Sequence, residues 1–188
     1  GMPGFRKKSA GSPVHFGFIG NFMPAKGLHI LIDSFKGLLH DKARLVIYGK
    51  ESSYKSALSG YAGRLRAQAL QKNIEFMGPF GSADLKTVFG NIDVLVVPSI
   101  WQENAPLVIQ EAFIAGVPVI ASRIGGIPEL VADSVNGRLF EPGNARELKE
   151  MIEDVIEDPD VLQVWRKGIP AVENMERHAV VIRQVMNP

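Results

Sequence analysis

Short apolar runs alternate with longer amphipathic segments along most of the chain. Five runs rich in β-branched and aromatic residues are each bounded by Gly, Pro or Ser, which is typical of β-strands. These predicted strands cover residues 14–20, 44–49, 73–78, 92–99 and 117–122. The turn signal Asn136-Gly137 introduces a sixth short strand at residues 137–140.

The segments between the strands carry apolar residues at the spacing of one helix face. The three predicted stripes are Leu28, Ile32, Phe35 and Leu39; Leu58, Tyr61, Leu65 and Ala69; and Leu85, Val88 and Phe89. The last third of the chain is helical: an apolar stripe runs from Leu148 to Ile156 opposite an acidic face. That acidic face is best read as solvated. Further helices are predicted at residues 161–167 and, after Pro170, at residues 174–186.

This alternation of strands and helices determines the expected fold class. Strands that are apolar throughout are usually buried on both faces, and helical connections between strands require parallel pairing. We therefore expect an α/β fold with a doubly wound, mostly parallel Rossmann-like sheet and helices on both faces. One compact domain is predicted over residues 14–188, after a disordered lead-in at residues 1–13. The Gly before Met2 is typical of a cleaved expression tag, so we expect the natural chain to be longer.

Composition places the 188-residue chain among globular proteins, with 46% hydrophobic, 22% charged and 8% aromatic residues. The net charge is +1, and residues 1–13 carry three basic residues and no acid, so the remainder has a net charge of −2. Nothing in this balance indicates a nucleic-acid partner. No apolar run approaches the ~18 residues of a membrane span. The absence of cysteine excludes disulfides and favours a cytoplasmic location.

Candidate chemistry lies in the loops after the strands, because open parallel sheets bind ligands at the carboxyl ends of their strands. In the first loop, residues 20–27, Lys26 stands at the predicted start of a helix. A cation there opposes the helix dipole by about 0.3–1 kcal/mol, so an anion is expected beside it. The alternative is an exposed lysine in a tight turn. The loop matches neither a Walker A sequence nor a dinucleotide-binding fingerprint.

The four histidines of the chain lie too far apart in the sequence to indicate a local metal site.

Two glutamates follow the fourth strand in the segment SIWQENAPLVIQEAF. Glu103 is predicted in the loop, where its carboxylate could meet a substrate hydroxyl or a developing positive charge. Glu111 is predicted on the following helix, where it could bind a diol such as ribose or simply face solvent. Asn104 is a fair cap for a helix with Pro106 in its first turn. The free amides of Asn104, Ala105, Leu107 and Val108 offer a phosphate nest.

The loop after the fifth strand, SRIGGIPELV, contains Gly125-Gly126 before a helix that Pro128 opens. A sharp strand-to-helix connection is the simpler explanation of the two glycines. The alternative is that their missing side chains let a ligand approach the backbone.

Taken together, these loops resemble the C-terminal domain of GT-B glycosyltransferases of the retaining group-1 type (glycosyltransferase family 4-like). The resemblance covers residues 14–186, and its strongest element is Glu103 followed by seven residues and then Glu111. Supporting segments are FGFIGNFMPAKGLHILIDSF, FMGPF, IDVLVVPS and ENAPLVIQEAFIAGVPVIASRIGGIPELV. The resemblance implies one half of a GT-B fold that binds a nucleotide-diphosphate sugar as donor substrate, without cofactor or bound metal.

The resemblance also implies a role for individual residues. Glu103 would face the donor sugar as the catalytic residue, and Glu111 would bind the donor ribose. Lys26 would neutralise the diphosphate beside Gly20 and Asn21, and the backbone around Met77 and Gly78 would hold the base. The amides of Asn104, Ala105, Leu107 and Val108 would cradle the phosphates.

Two departures from the family pattern lower the donor affinity that we expect. Many members have arginine where this chain has Asn21, and Pro106 removes one amide donor.

The family is built from two domains, so an N-terminal acceptor domain of the same polypeptide is implied, and this chain alone should transfer sugar poorly or not at all. Two alternatives remain: a stand-alone or degenerate nucleotide-binding module, and a nucleotide-sugar epimerase.

The expected acceptor is a glycan, a lipid or a small molecule. The full-length protein is expected to act in polysaccharide or glycolipid synthesis, in the cytoplasm or at the inner membrane face. The apolar face of the closing helix, around residues 180–185, is expected to be partly exposed.

Overall fold

The computed structural model describes residues 11–38, 41–51 and 60–170, and within them six strands form one parallel sheet. The strands are β1 (Val14–Ile19), β2 (Ala43–Tyr48), β3 (Ile74–Gly78), β4 (Val94–Val97), β5 (Val119–Ser122) and β6 (Gly137–Phe140). Their order across the sheet is β3-β2-β1-β4-β5-β6, and every pair is parallel. The predicted doubly wound sheet is confirmed.

Seven α-helices connect or follow these strands in the described residues. They are α1 (Leu28–Ser34), α2 (Tyr61–Gln68), α3 (Leu85–Gly90), α4 (Leu107–Ile114), α5 (Ile127–Leu130), α6 (Ala145–Glu157) and α7 (Val161–Lys167). The predicted positions at Leu39 and Leu58, the lead-in up to residue 10 and the closing helix at 174–186 lie outside the described residues. No helix of the described segments combines the length and the apolar character that a membrane span needs.

Alternating side chains along the strands build a core on each face of the sheet. Phe16 and Leu45 point to one face, where they pack with buried residues of α1, α2, α6 and α7. Val46 and Leu95 point to the other, where α3, α4 and α5 contribute. Helices therefore cover both faces, as the apolar strands predict.

The strand order reverses at β1, which lies between β2 and β4. The connection after β1 runs to β2 and the connection after β4 runs to β5, in opposite directions along the sheet. The crevice at the carboxyl ends of β1 and β4 is the usual ligand site of such a sheet. Gly27 lets the loop after β1 approach the end of β4. Its φ is +68°, and a Cβ at this position would lie 1.7 Å from the carbonyl oxygen of Pro98.

Candidate functional site

An ion pair between Lys26 and Glu103 joins the two loops at this crevice. Lys26 ends a 3₁₀ turn (Pro24–Lys26) after β1, two residues before α1 begins, and Glu103 lies in the loop after β4. The Nζ atom of Lys26 lies 2.8 and 2.9 Å from the two carboxylate oxygens of Glu103. The Lys26 side chain is 39% exposed and that of Glu103 is 16% exposed. The anion beside Lys26 is therefore a carboxylate of the chain itself.

One further hydrogen bond fixes the Glu103 side chain, and another fixes the loop that carries it. The hydroxyl of Ser99, a fully buried residue, donates a hydrogen bond of 2.5 Å to Oε1 of Glu103. The amide of Ile100 donates to the carbonyl of Ala25 at 2.9 Å, which fastens the β4 loop to the β1 loop. Sequence reasoning missed Ser99 as a partner of the site, because a serine ending a buried strand carries no signal of what its hydroxyl contacts.

The ion pair closes over the ends of β1 and β4. A cavity of only about 20 Å³ remains beneath it, between Lys26, Glu103 and strand residues such as Phe18 and Val96. That volume holds about one water molecule. A nucleotide would therefore have to bind on the solvent side of the pair.

The loop after β5 packs directly against the backbone of the Glu103 loop. Gly126 donates its amide hydrogen to the carbonyl of Glu103 at 2.8 Å, and a Cβ at Gly126 would lie 1.8 Å from the carbonyl oxygen of Asn104. A Cβ at Gly125, where φ is +57°, would lie 2.4 Å from the carbonyl oxygen of Glu103. The missing side chains thus admit the backbone of the neighbouring loop, which explains the two glycines without a ligand.

Helix α4 begins two residues later than the sequence predicts. Pro106 is its N-cap residue, with φ −60° and ψ 116°, and the first helical residue is Leu107. The prediction that Asn104 caps this helix was wrong. Pro106 has an extended ψ rather than a helical one, so the cap falls at Pro106 and Asn104 lies two residues outside it.

Several amide donors around this helix start are available to a ligand. No residue in the described part of the chain accepts a hydrogen bond from the amides of Asn104, Ala105, Leu107 or Val108. Asn104, Ala105 and Leu107 are exposed and Val108 is half-buried. Glu111 lies one turn further along α4, half-buried between the buried residues Gln110 and Ala112.

The other predicted residues lie at the same edge of the sheet. Gly20 and the exposed Asn21 follow β1, and this segment continues to pair with the chain after β2 through the amide of Phe22. Met77 sits at a β-bulge, because Tyr48 pairs with Gly78 and skips Met77, which is 48% exposed. One strand separates β3 from β1, which places Met77 and Gly78 about 10 Å from the first loop.

Comparison with known proteins fits this geometry. The family model of glycosyl transferases group 1 matches residues 5–172. The chain belongs to this family. The D-inositol 3-phosphate glycosyltransferase of Corynebacterium glutamicum is 29% identical to this group-1 domain over 175 residues, which are 89% of this chain and 41% of that protein.

Two solved structures share the fold of this group-1 domain. Anabaena HepE in complex with UDP and glucose superposes with a TM-score of 0.77 at 25% identity, covering 94% of this chain and 49% of HepE. The C-terminal domain of the group-1 protein LpcC from Francisella tularensis superposes with a TM-score of 0.71 at 22% identity, covering 87% of both chains. The chain thus spans about two fifths of the curated relatives that it matches first.

Proposed function

We propose that this chain is the nucleotide-sugar-binding domain of a retaining glycosyltransferase that transfers a hexosyl group to a glycan, lipid or small-molecule acceptor. One observation carries the proposal: a lysine, a glutamate and four amides that have no acceptor among the described residues lie on the loops after β1 and β4 and at the start of α4, where the strand order reverses. This is where open α/β sheets bind nucleotides.

The donor diphosphate would bind between Lys26 and the start of α4. Lys26 supplies a positive charge, and the amides of Asn104, Ala105, Leu107 and Val108 supply donors beside a helix N-terminus. When the bond between the sugar and the diphosphate breaks, negative charge grows on the leaving phosphate, and donors already in place stabilise it. We therefore propose that transfer needs no bound metal.

The remaining roles follow from position and residue type. Glu103 would face the donor sugar, the ribose hydroxyls would donate to Glu111, and the exposed backbone at Met77 and Gly78 would hold the base. The similarity to HepE, whose structures contain UDP, glucose and UDP-glucose, supports a nucleotide-sugar donor. Gly20 and Asn21 would line the diphosphate on the β1 side.

The acceptor would bind to a part of the protein outside this chain. The match to only about two fifths of the curated relatives supports an additional N-terminal domain in the same polypeptide. We propose that the full-length protein acts in the cytoplasm or on the inner membrane face, and that this chain alone binds donor weakly and transfers little.

Thermal unfolding with nucleotides tests the proposal directly. The chain is heated with UDP, GDP, ADP and their sugars, without and with Mg²⁺. A ligand at about 100 times its Kd adds about 2.7 kcal/mol of stability, which raises the Tm by roughly 5–10 °C for a domain of this size. We expect a shift with one base that is independent of Mg²⁺. A shift that requires Mg²⁺ would contradict the metal-free proposal, and no shift with any nucleotide would contradict donor binding by this chain.

The variant Lys26→Ala tests whether Lys26 contacts the phosphates of the donor. It should weaken binding of the nucleoside diphosphate much more than binding of the matching nucleoside, because only the former carries phosphates. An equal loss for both ligands would contradict a phosphate role of Lys26.

Asn21 and Pro106 favour a second candidate, a nucleotide-binding module without transferase activity. Asn21 offers no permanent charge to the diphosphate, and Pro106 has no amide hydrogen. Release of nucleoside diphosphate from the donor by the full-length protein, with and without acceptor, discriminates between the two functions. Turnover that requires acceptor supports the transferase.

A further inference from the structure

Ser99 has a contact that its place in the fold does not require. It is fully buried just beyond the carboxyl end of β4, and its hydroxyl donates to Oε1 of Glu103, four residues later in the same loop. Ser122 occupies a comparable place at the end of β5 and is equally buried. Its hydroxyl has no hydrogen-bond partner among the described residues. A buried serine at this edge of the sheet thus does not by itself need a carboxylate.

The three hydrogen bonds that described residues donate to the carboxylate of Glu103 differ in how they respond to a ligand. Two come from the Nζ atom of Lys26, whose flexible side chain is 39% exposed. The third comes from Ser99, whose short and fully buried side chain cannot follow a ligand. A diphosphate that recruits Lys26 would therefore remove two bonds from Glu103 and leave the one from Ser99.

We propose that Ser99 is a positioning residue that holds the carboxylate of Glu103 toward the donor sugar once Lys26 has turned to the diphosphate. This inference rests on the proposed function. Ser99 acts through Glu103 and does not itself touch the donor. It would keep Oε1 in place and leave Oε2 open to a sugar hydroxyl.

Crystal structures of two variants test the positioning without any ligand. Lys26→Met removes the cation and imitates its departure. We expect Oε1 of Glu103 to remain at hydrogen-bond distance from the hydroxyl of Ser99 in this variant, and to leave that position in the double variant Lys26→Met/Ser99→Ala. A carboxylate that turns to solvent in Lys26→Met, or that stays in place in the double variant, would overturn the proposal.

Binding measurements on the intact chain test the consequence for the donor. The probes are UDP and UDP-glucose, and the readout is the ratio of their Kd values. Ser99→Ala should reduce the preference for UDP-glucose over UDP about fivefold, the effect of one hydrogen bond, and leave UDP binding nearly unchanged. Ser99→Thr, which keeps the hydroxyl, should restore the preference, and the control Ser122→Ala should match the wild type.

The outcomes separate this inference from the proposed function. An unchanged ratio in Ser99→Ala, or an equal weakening of both ligands, would overturn the positioning role. Failure of the wild-type chain to bind either ligand would count against a uridine nucleotide sugar as the donor, whereas the two crystal structures would still decide whether Ser99 holds Glu103.

Discussion

Replacing Glu103 with Gln tests whether the protein itself competes with the donor diphosphate for Lys26. Glutamine has nearly the same size and keeps an oxygen that can accept from Ser99, but it carries no charge. In the wild-type chain a diphosphate must separate Lys26 from a carboxylate that contacts it at 2.8 and 2.9 Å. The Glu103→Gln variant should therefore bind the diphosphate more tightly, although the full-length enzyme should lose turnover.

The size of the effect follows from the exposure of the pair. An exposed ion pair contributes about 0.2–1 kcal/mol, and a hydrogen bond to a charged group contributes about 1 kcal/mol more than a neutral one. Lys26 is 39% exposed and Glu103 is 16% exposed, so the pair lies between exposed and buried. We expect a gain of about 1 kcal/mol, which is about a fivefold lower Kd. The gain should shrink as salt screens the charges.

Isothermal titration with the best-binding nucleoside diphosphate, at low and high ionic strength, measures this gain. The matched control is Glu150→Gln on α6, which removes the same charge from a surface pair with Arg146 at 3.0 Å. Unchanged or weaker binding by Glu103→Gln would refute the competition. An equal gain in Glu150→Gln would assign the effect to net charge.

Three further predictions concern the α4 helix, the glycine contact and pH. Glu111→Ala should weaken binding of the nucleoside diphosphate about fivefold or more through the loss of ribose hydrogen bonds. Unchanged affinity in calorimetric titration would show that Glu111 does not bind the ribose. Gly126→Ala should lower the free energy of unfolding in urea by about 1–3 kcal/mol, because its Cβ would meet the carbonyl of Asn104 at 1.8 Å; Gly63→Ala, which meets nothing within 4 Å, should not destabilise the chain. Burial lowers the pKa of His29 from its ordinary value of 6.5, so the unfolded chain takes up the proton first and stability should fall as pH drops below about 6.5. His29→Gln should reduce that fall, measured by unfolding at several pH values, and an unchanged pH profile would contradict the assignment.

The sheet could be predicted from the sequence because most of its strand residues are apolar, and those of β4 and β5 are buried on both faces. Residues 137–140 form β6 as predicted, where the side chain of Asn136 bonds to the backbone of Ala132 and Leu130 and fixes the turn. The ends of elements were less predictable. The apolar run at residues 92–99 extends beyond β4 in both directions, since burial continues where ladder pairing stops and Pro98 has no amide hydrogen to donate.

The candidate site was predictable residue by residue but not as an arrangement. Lys26 and Glu103 could each be selected from residue type and position after a strand. Their contact spans 77 positions in the sequence and depends on Gly27 and on the bond between Ile100 and Ala25. Such contacts follow from the path of the backbone, which no local pattern encodes. The same holds for Gly125 and Gly126, whose use became visible only with the neighbouring loop in place.

Nitrogen-15 NMR during titration with UDP, GDP and ADP tests most directly that a nucleotide diphosphate binds at the ends of β1 and β4. We expect one of these ligands to shift the amide signals of Asn104, Ala105, Leu107 and Val108 and those of Lys26 and Gly20, and we expect addition of Mg²⁺ to leave the shifts unchanged. Shifts confined to another surface, such as the groove beside Leu38 and Leu70, would contradict it. Saturating nucleotide that leaves the amide signals of Asn104, Ala105, Leu107 and Val108 unmoved would also contradict it.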